Sequence, residues 1–173
     1  MKKLYLSTSE EETKLFAHSL MQFVLGGELS SEPQTSESNI VYLNSLKKRF
    51  ADSAKDNRQI VFALHGELGA GKTVFSRGIA ETLDINEYIF SPSYTVVNEY
   101  VGIGLRDLFH IDFYRIDNAD SAIAFGIDDY FSLENSVIIM EWAERISDII
   151  PQETVHILFE HVDENVRKLR LRN

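Results

Sequence analysis

The feature that most constrains this chain is a glycine-rich octapeptide, Gly66-Glu67-Leu68-Gly69-Ala70-Gly71-Lys72-Thr73. It matches the phosphate-loop pattern G-x-x-x-x-G-K-[ST] at every fixed position. Glycines let the chain curl so tightly that several backbone N–H groups converge on one polyphosphate. In this pattern the lysine brings its charge to the β- and γ-phosphates, and the threonine hydroxyl is a ligand of Mg²⁺. The sequence therefore predicts a site for a nucleoside triphosphate and Mg²⁺, lined by residues 67–73.

The residues on either side of the octapeptide have the patterns that such a loop requires. Residues 60–64 (IVFAL) form an apolar run typical of a buried strand, and residues 73–83 carry apolar side chains at helical spacing. A helix that begins at the loop adds the positive end of its dipole to the anion site. This order of strand, loop and helix favours phosphate binding over a tight turn that binds nothing.

The chain before the loop predicts a strand and two helices. Leu4 and Leu6 indicate a short strand, and Ser9 with Glu12 is typical of a capping box at the start of a helix. That helix is expected to end at Gly26-Gly27 and to bury one side, made of Leu15, Phe16, Leu20, Phe23 and Val24. Residues 28–38 have the composition of a linker, and residues 40–54 have the spacing of an amphipathic helix. The second helix is expected to pack on the edge of the domain, with binding of a partner as the alternative.

The chain after the loop is rich in β-prone segments. Strands are predicted at 88–90, 94–100, 108–114 and 137–140, with the second and third forming a hairpin, and a last hairpin joins 155–162 to 166–171. A short helix is predicted at 120–125, followed by Gly126 and a loop at 128–131. The run VIIM at 137–140 is typical of a strand buried on both faces. We therefore predict an α/β protein: a three-layer P-loop NTPase fold whose sheet is mainly parallel with antiparallel edge hairpins, in one domain over residues 1–173.

Two acidic residues stand where apolar runs end. Asp112 follows LFHI, and Glu141 follows VIIM. Because ligands of open α/β sheets bind at the carboxyl ends of the strands, both carboxylates are expected to reach the same metal. One can anchor Mg²⁺ while the other orients or activates the attacking water, and Glu141 is favoured for the metal. We predict Lys72, Asp112 and Glu141 as catalytic residues and Thr73 and Glu141 as the metal site, with solvated acids at strand ends as the alternative.

Other polar residues near these acids have open roles. Ser91, Ser93 and Thr95 form a hydroxyl-rich turn around Pro92 that either contacts the γ-phosphate or metal or is only rigid structure. Of these, Ser93 is predicted to bind the nucleotide. His110, inside a predicted strand, is expected to be a packed residue rather than a ligand.

Composition and net charge limit the cellular compartments and the binding partners that the sequence allows. The chain has no cysteine, no apolar stretch near the roughly 20 residues of a membrane span, and too short an apolar run after Met1 for a signal peptide. A cytoplasmic protein is therefore predicted. The net charge of −10 argues against direct binding of nucleic acid, because phosphate neutralisation requires a basic excess. The basic segment 167–172 alternates like an edge strand, with contact to nucleic acid as the alternative.

Missing motifs narrow the chemistry. No N-K-x-D guanine box is present, which leaves adenine as the base by elimination. No arginine finger in a lid is apparent, so hydrolysis is expected to be slow without a partner. Two other functions stay open: a kinase for small molecules, which the missing arginine-rich lid disfavours, and a non-hydrolysing adaptor gated by nucleotide binding.

Five blocks of this sequence occur together, in the same order, in a known family. They are the octapeptide, Ser91-Pro92-Ser93-Tyr94-Thr95, His110-Ile111-Asp112-Phe113-Tyr114-Arg115, Gly126-Ile127-Asp128-Asp129-Tyr130-Phe131 and Glu141-Trp142-Ala143-Glu144. The chain resembles the TsaE (YjeE) family, the ATPase subunit of the bacterial tRNA threonylcarbamoyladenosine machinery. The resemblance covers most of the chain outside residues 27–58 and the C-terminal hairpin.

The resemblance implies a small P-loop ATPase that binds ATP and Mg²⁺ and docks on TsaB-like and TsaD-like subunits. In such a complex the TsaD subunit transfers the threonylcarbamoyl group to adenosine 37 of tRNA. ATP hydrolysis by the TsaE-like subunit resets the complex between turnovers. The resemblance thus implies that the partners hold the tRNA, which agrees with the acidic charge of this chain.

The resemblance also implies roles for single residues. Lys72 and Thr73 take the phosphate and metal positions, and Asp112 and Glu141 match the two functional acids of the family. Trp142 matches its tryptophan, and Glu10, before the first helix, is implied to lie by the nucleotide. Two features depart from the family pattern: Ser93 stands where a threonine is usual, and residues 28–58 form a longer insertion, which leaves the geometry of partner binding open.

Overall fold

The structure is a computed structural model that describes residues 3–26, 58–103 and 106–172. Within these ranges the strands are β1 (Lys3–Ser7), β2 (Ile60–His65), β3 (Val97–Tyr100), β4 (Asp107–Asp112), β5 (Ser136–Glu141), β6 (Val155–Asp163) and β7 (Val166–Arg172). The helices are α1 (Glu10–Val24), α2 (Lys72–Thr82), α3 (Ala119–Ala124) and α4 (Ile127–Tyr130), with a 3₁₀ helix at Ala143–Ile146. None of these helices is both long and apolar enough to cross a lipid bilayer.

All of these strands join one sheet, in the order β1-β7-β6-β2-β5-β4-β3. The four central strands are parallel, because β2 pairs in parallel with β5 and β6, and β4 pairs in parallel with β5. At one side β3 pairs antiparallel with β4, and at the other β7 pairs antiparallel with both β6 and β1. The predicted parallel centre with antiparallel edges is confirmed.

Two apolar cores cover the two faces of this sheet. Phe62 and Leu64 of β2 pack with α1 and α2 on one face, whereas Val61 and Ala63 pack with α3, α4 and the 3₁₀ helix on the other. Successive side chains of a strand point to opposite faces, so an apolar run such as β2 must be covered twice. The result is the predicted three-layer α/β arrangement, with all six residues of β5 buried in its middle.

Helices α1 and α2 lie unusually close to each other at Gly78. A Cβ atom at this position would lie 2.3 Å from the carbonyl oxygen of Lys14 and 2.8 Å from the Cβ of Ala17. The absence of a side chain therefore lets α2 approach α1, and so fixes the direction in which α2 leaves the phosphate loop. The first turn of α1 is capped as predicted, since the amide of Glu12 donates to Ser9 Oγ at 3.1 Å.

Three local predictions are wrong. Residues 88–90 do not join the sheet: the Ile89 carbonyl accepts a hydrogen bond from Arg77 Nε, and the Phe90 amide donates to the hydroxyl of Tyr100. Side chains thus satisfy the backbone groups that a neighbouring strand would have bonded. Residues 128–131 are no plain loop, because Ile127–Tyr130 forms a short helix. Leu15 is 53% exposed, so it lies outside the buried side of α1.

The basic C-terminal segment is also placed differently from the prediction. It forms β7, which lies inside the sheet because β1 covers its far side, with Leu6 opposite Lys168. An edge strand was therefore the wrong interpretation. The covering strand comes from the opposite end of the chain, so no local pattern could have indicated it.

The predicted linker at 28–38 and the predicted helix at 40–54 lie outside the described residues. The assignment of residues 1–173 to one ATPase domain, with an insertion at 28–58, consequently stays a prediction.

Candidate functional site

The octapeptide forms a tight loop between the end of β2 and the start of α2. Gly69 and Gly71 have left-handed backbone conformations, with φ of +76° and +99°, which side chains disfavour. Gly66, with φ of +141°, lies against β6, and a Cβ atom there would be 2.5 Å from the carbonyl oxygen of Phe159. Gly71 caps α2 without any side-chain hydrogen bond to its first N–H groups. Those N–H groups and the helix dipole make this end of α2 suited to an anion.

Lys72 lies inside this loop and is only 4% exposed. Its Nζ donates hydrogen bonds to the carbonyl oxygens of Gly66 and Glu67, at 2.7 and 2.9 Å, and lies 4.5 Å from the centre of the Trp142 ring. Burial lowers the pKa of Lys72, although the nearby carboxylates of Glu141, Asp112 and Glu144 favour its charged form. The ammonium group is thus held by neutral carbonyl acceptors, and no carboxylate among the described residues forms a direct ion pair with it.

Asp112 and Glu141 end adjacent parallel strands and face each other in the register of β4 and β5. They are 3% and 4% exposed. Thr73 Oγ1, in the first turn of α2, donates to Glu141 Oε1 at 2.9 Å. All three side chains line one cavity of about 470 Å³ together with the phosphate loop. The structure therefore brings both acids to the end of the sheet where the loop lies.

The carboxylate of Asp112 is held by the turn that follows α2. Ser91 Oγ and Ser93 Oγ each donate to Oδ2 at 2.8 Å, and the amide of Tyr114 donates to Oδ1 at 2.8 Å. Thr95, by contrast, donates to Asn98 Oδ1 at 2.8 Å and is not among the residues that line the cavity. Two of the three hydroxyls of the turn thus reach the site, through Asp112.

His110 is packed, as expected, but it also touches the site. Its side chain is fully buried, and Nε2 lies 2.9 Å from Glu141 Oε1. The sequence offered no signal for this contact beyond the position of His110 two residues before Asp112.

The cavity contains most of the predicted nucleotide residues and several that sequence reasoning missed. Of the predicted set it is lined by Glu10, Leu68, Gly69, Ala70, Gly71, Lys72, Thr73, Ser93, Asp112 and Glu141. Glu67 is the exception, because it contributes only its carbonyl oxygen to Lys72. The missed residues are Ser9, Val74, Arg77, Tyr114, Asn165 and Arg167. Asn165 and Arg167 come from the turn between β6 and β7, and only the order of strands in the sheet brings that turn to the loop.

Trp142 lines the cavity directly after Glu141. Its backbone is left-handed, with φ of +59°, a conformation that non-glycine residues adopt rarely and usually at sites that require it. The indole stacks obliquely on Tyr114, with ring centres 5.3 Å apart, and lies beside Lys72 Nζ. The turn after β5 thus directs this aromatic side chain toward the phosphate loop.

The oxygen atoms at the site suit Mg²⁺. Thr73, Asp112 and Glu141 offer hydroxyl and carboxylate oxygens, which are the ligands that this hard cation prefers. In the described part of the chain, no three side chains of His, Cys, Asp or Glu stand close enough to form a metal site by themselves. Proteins commonly bind Mg²⁺ with one or two side chains and complete its shell with phosphate oxygens and water. The residues therefore fit a magnesium ion that is shared with a bound triphosphate.

Behind the phosphate loop, a contact between a carboxylate and an imidazole joins the 3₁₀ helix to β2. Glu144 Oε2 lies 3.1 Å from Nδ1 of His65, the residue that precedes the loop. Burial alone would raise the pKa of Glu144, but the hydrogen bond with His65, a backbone hydrogen bond and the charges of His65 and Lys72 outweigh it. The pKa of Glu144 consequently lies below its ordinary value of 4.5.

Comparison with known proteins agrees with this geometry. The sequence model of the family described as "Threonylcarbamoyl adenosine biosynthesis protein TsaE" matches residues 36–169. The crystal structure of YdiB from Bacillus subtilis superposes with a TM-score of 0.63 at 26% sequence identity, and the match covers 99% of this chain and 86% of that one.

Curated relatives carry the same family name. The protein named "tRNA threonylcarbamoyladenosine biosynthesis protein TsaE" from Bacillus subtilis is 38% identical over 109 residues, which is 63% of this chain and 66% of that protein. The protein of the same name from Haemophilus influenzae is 32% identical over 120 residues, which is 68% of this chain and 75% of its own length. With a family match that spans most of the sequence and a fold and a phosphate loop to accompany it, this chain belongs to the TsaE family.

Proposed function

We propose that this protein is an Mg²⁺-dependent ATPase that acts as the accessory subunit in forming threonylcarbamoyladenosine at position 37 of tRNA. Its part in tRNA threonylcarbamoyladenosine biosynthesis rests on membership of the TsaE family. The ATPase activity rests on one observation: the phosphate loop, Thr73 and the paired acids Asp112 and Glu141 line the same cavity. The proposal includes a cytoplasmic location, because the proposed function is the modification of tRNA.

In the proposed mechanism the chain binds and positions the triphosphate. The N–H groups at the start of α2 and the ammonium of Lys72 bind the β- and γ-phosphates, and Lys72 exchanges its contacts with the loop carbonyls for phosphate oxygens. Thr73 and Glu141 would hold Mg²⁺, which when bound offsets the negative charge on the phosphoryl oxygens. Asp112, on the neighbouring strand, orients the attacking water.

Several contacts support the assignment of Asp112 to water rather than to phosphate. Its carboxylate accepts hydrogen bonds from two hydroxyls and a backbone amide, which fix the orientation of the group at the end of β4. A carboxylate beside phosphate would be repelled, whereas one that faces water can hold it in line for attack.

The partners that we propose are TsaB-like and TsaD-like subunits. The net charge of −10 is unfavourable for direct binding of tRNA. The partner subunits therefore bind the tRNA and catalyse the transfer of the threonylcarbamoyl group. ATP binding and hydrolysis in this chain reset the complex between turnovers. Hydrolysis by the isolated chain is slow.

The contacts of Asp112 favour one alternative, a non-hydrolysing adaptor. Because Ser91 and Ser93 bind the same carboxylate oxygen, any change at Asp112 on nucleotide binding would release or tighten their turn. The neighbouring Tyr94 is 85% exposed and could report that change to a partner. In this second candidate function, binding alone is sufficient and hydrolysis is incidental.

An ATPase assay with and without the two partner subunits tests the proposal. We expect slow release of phosphate by the chain alone, without any metabolite acceptor, and faster release when both partners are present. With Mg²⁺, Glu141→Gln should lower the rate by at least about 100-fold, while ATP still binds in the presence of a chelator. Glu134→Gln, an exposed acid that follows α4, is the matched control and should leave the rate unchanged.

The outcomes separate the functions. Phosphate transfer that requires a small-molecule acceptor would indicate a kinase. Full tRNA modification in cells that carry only the Glu141→Gln variant would indicate the adaptor. Partners that change neither the ATPase rate nor the elution of the chain from a sizing column would contradict the proposed complex.

A further inference from the structure

His110 is a fully buried polar side chain behind the candidate site, and its contacts need an explanation. Its Nε2 lies 2.9 Å from Glu141 Oε1 and 3.4 Å from Ser76 Oγ. Its Nδ1 has no hydrogen-bond partner in the described part of the chain. Buried polar atoms are rarely left unpaired, so the unpaired Nδ1 directs attention to what the paired nitrogen, Nε2, contributes.

The contacts determine which nitrogen carries the proton. A carboxylate can only accept hydrogen bonds, and a neutral imidazole has one N–H group to donate. Ser76 Oγ already donates to the Lys72 carbonyl at 3.2 Å, so it too faces Nε2 as an acceptor. A proton on Nδ1 would have no acceptor and would turn the Nε2 lone pair toward the carboxylate. The neutral ring therefore has its proton on Nε2 and donates to Glu141.

This hydrogen bond leaves the two oxygens of Glu141 in different situations. Oε1 accepts from His110 and also from Thr73 Oγ1, each at 2.9 Å, whereas Oε2 has no hydrogen bond to any described residue. Two donors that converge on one oxygen fix the rotation of the carboxylate. Oε2 is thereby held in one place with no hydrogen bond from residues 3–26, 58–103 or 106–172.

We propose that His110 is a positioning residue whose Nε2–H orients the Glu141 carboxylate and keeps Oε2 available for the magnesium shell. The inference rests on the proposed function, because it assigns Glu141 to Mg²⁺. Partners of this kind, which orient a metal-binding carboxylate from behind, typically contribute about 10- to 100-fold to metal affinity or activity.

Two polar substitutions separate positioning from packing. The amide nitrogen of glutamine reaches as far as the Nε2 of histidine, so His110→Gln keeps the donor to Glu141. The shorter His110→Asn places its amide near the position of Nδ1, out of reach of Glu141. Leu108→Val is the control, because Leu108 is a buried residue two positions earlier on β4, in the core between the sheet and α1 and α2.

Nucleotide binding is read from Trp142, the single tryptophan of the chain, which lies beside Lys72. We expect all three variants to bind ATP like the wild type in the presence of a chelator. With Mg²⁺, His110→Asn should lose about 10- to 100-fold in affinity and in kcat, whereas His110→Gln and Leu108→Val stay near the wild type. Equal behaviour of the Gln and Asn variants would overturn the inference, since packing alone would then account for His110.

A measurement on the protein without metal or nucleotide tests the same contact. Long-range ¹H–¹⁵N correlation spectra should show His110 as the Nε2–H tautomer, with the assignment made by comparison with His110→Gln. An Nδ1–H tautomer would contradict the inference. If the wild type showed the Nε2–H tautomer but bound no Mg·ATP, the proposed function would be contradicted while the hydrogen bond to Glu141 was confirmed. If the wild type bound Mg·ATP and both His110 variants did so equally well, only the inference would fail.

Discussion

Glu141 shows how much a single residue of this site depends on its neighbours. The sequence places an acid at the end of a buried strand, and this position predicts that Glu141 is a metal ligand. Its orientation, however, comes from Thr73 on α2 and His110 on β4, which reach the same carboxylate oxygen. Residue type was therefore predictable, whereas the partners of the residue were not, because they come from two other elements, α2 and β4.

The hydrogen-bonded contact between Glu144 and His65 leads to a prediction about pH. Because the pKa of Glu144 is lowered on folding, this carboxylate stabilises the protein above pH 4.5, and the contribution is lost as the pH falls through the lowered pKa. Glu144→Gln should reduce the free energy of unfolding by about 0.5 kcal/mol at neutral pH, since the side chain is 46% exposed and solvent screens the pair. Urea unfolding at a series of pH values measures this difference.

The control for that experiment is Glu134→Gln, which removes an exposed acid with no ion pair among the described residues. The gap in stability between the wild type and Glu144→Gln should close as the pH falls below 4.5. A gap that persisted in acid would mean that the amide costs stability for reasons other than charge.

At the scale of elements, the direction of α2 depends on its close contact with α1. An alanine inside a helix ordinarily stabilises it by about 0.5–1 kcal/mol relative to glycine. At Gly78 the added methyl group would lie 2.3 Å from the Lys14 carbonyl oxygen, so the two helices must separate. We expect Gly78→Ala to lower the free energy of unfolding by about 1–3 kcal/mol, the cost typical of overpacking. Chemical denaturation measures it.

The sign of this effect is the informative part. Glu81→Ala, which removes only the exposed ion pair of Glu81 with Lys14 of α1, serves as the control and should change stability by no more than about 1 kcal/mol. If Gly78→Ala were as stable as the wild type or more so, the close approach of α1 and α2 would not be a constraint on the fold.

The sequence predicts an element well when neighbouring residues specify it. It predicts an element poorly when the element forms only by pairing with a distant strand. The N-cap at Ser9 and the apolar β5 follow from a few neighbouring residues, and both are confirmed, although Glu12 accepts from the amide of Thr8 and not from that of Ser9 as in a full capping box. Residues 88–90 are β-prone in sequence, but their backbone groups bond to side chains of Arg77 and Tyr100. Whether a β-prone segment joins a sheet depends on a free neighbouring edge, which a single segment does not contain.

For the molecule as a whole, the net charge leads to a prediction about the affinity of the isolated chain for tRNA. A net charge of −10 repels a polyanion, and β7, the basic segment, also pairs Lys168 and Arg170 with Glu160. We expect no measurable binding of tRNA by the chain alone at physiological ionic strength, and retention of tRNA only when the partner subunits are added. Filter binding with labelled tRNA measures both conditions.

A basic-to-acidic variant makes this test decisive. The double variant Lys168→Glu and Arg170→Glu should have no measurable affinity for tRNA, like the isolated wild-type chain. Salt-sensitive binding by the wild type that this double variant abolished would contradict the prediction and assign the contact to β7.

The sequence by itself determined the phosphate loop, the strand and helix that flank it, and the acids Asp112 and Glu141, because each is specified by residues adjacent along the chain. Only the tertiary structure shows that β1 covers β7, that His110 reaches Glu141, and that Arg167 comes to the cavity at the phosphate loop. These features depend on the order of strands in the sheet. That order is set by which apolar faces bury each other best across the whole molecule, and it leaves no local trace in the residues that it brings together.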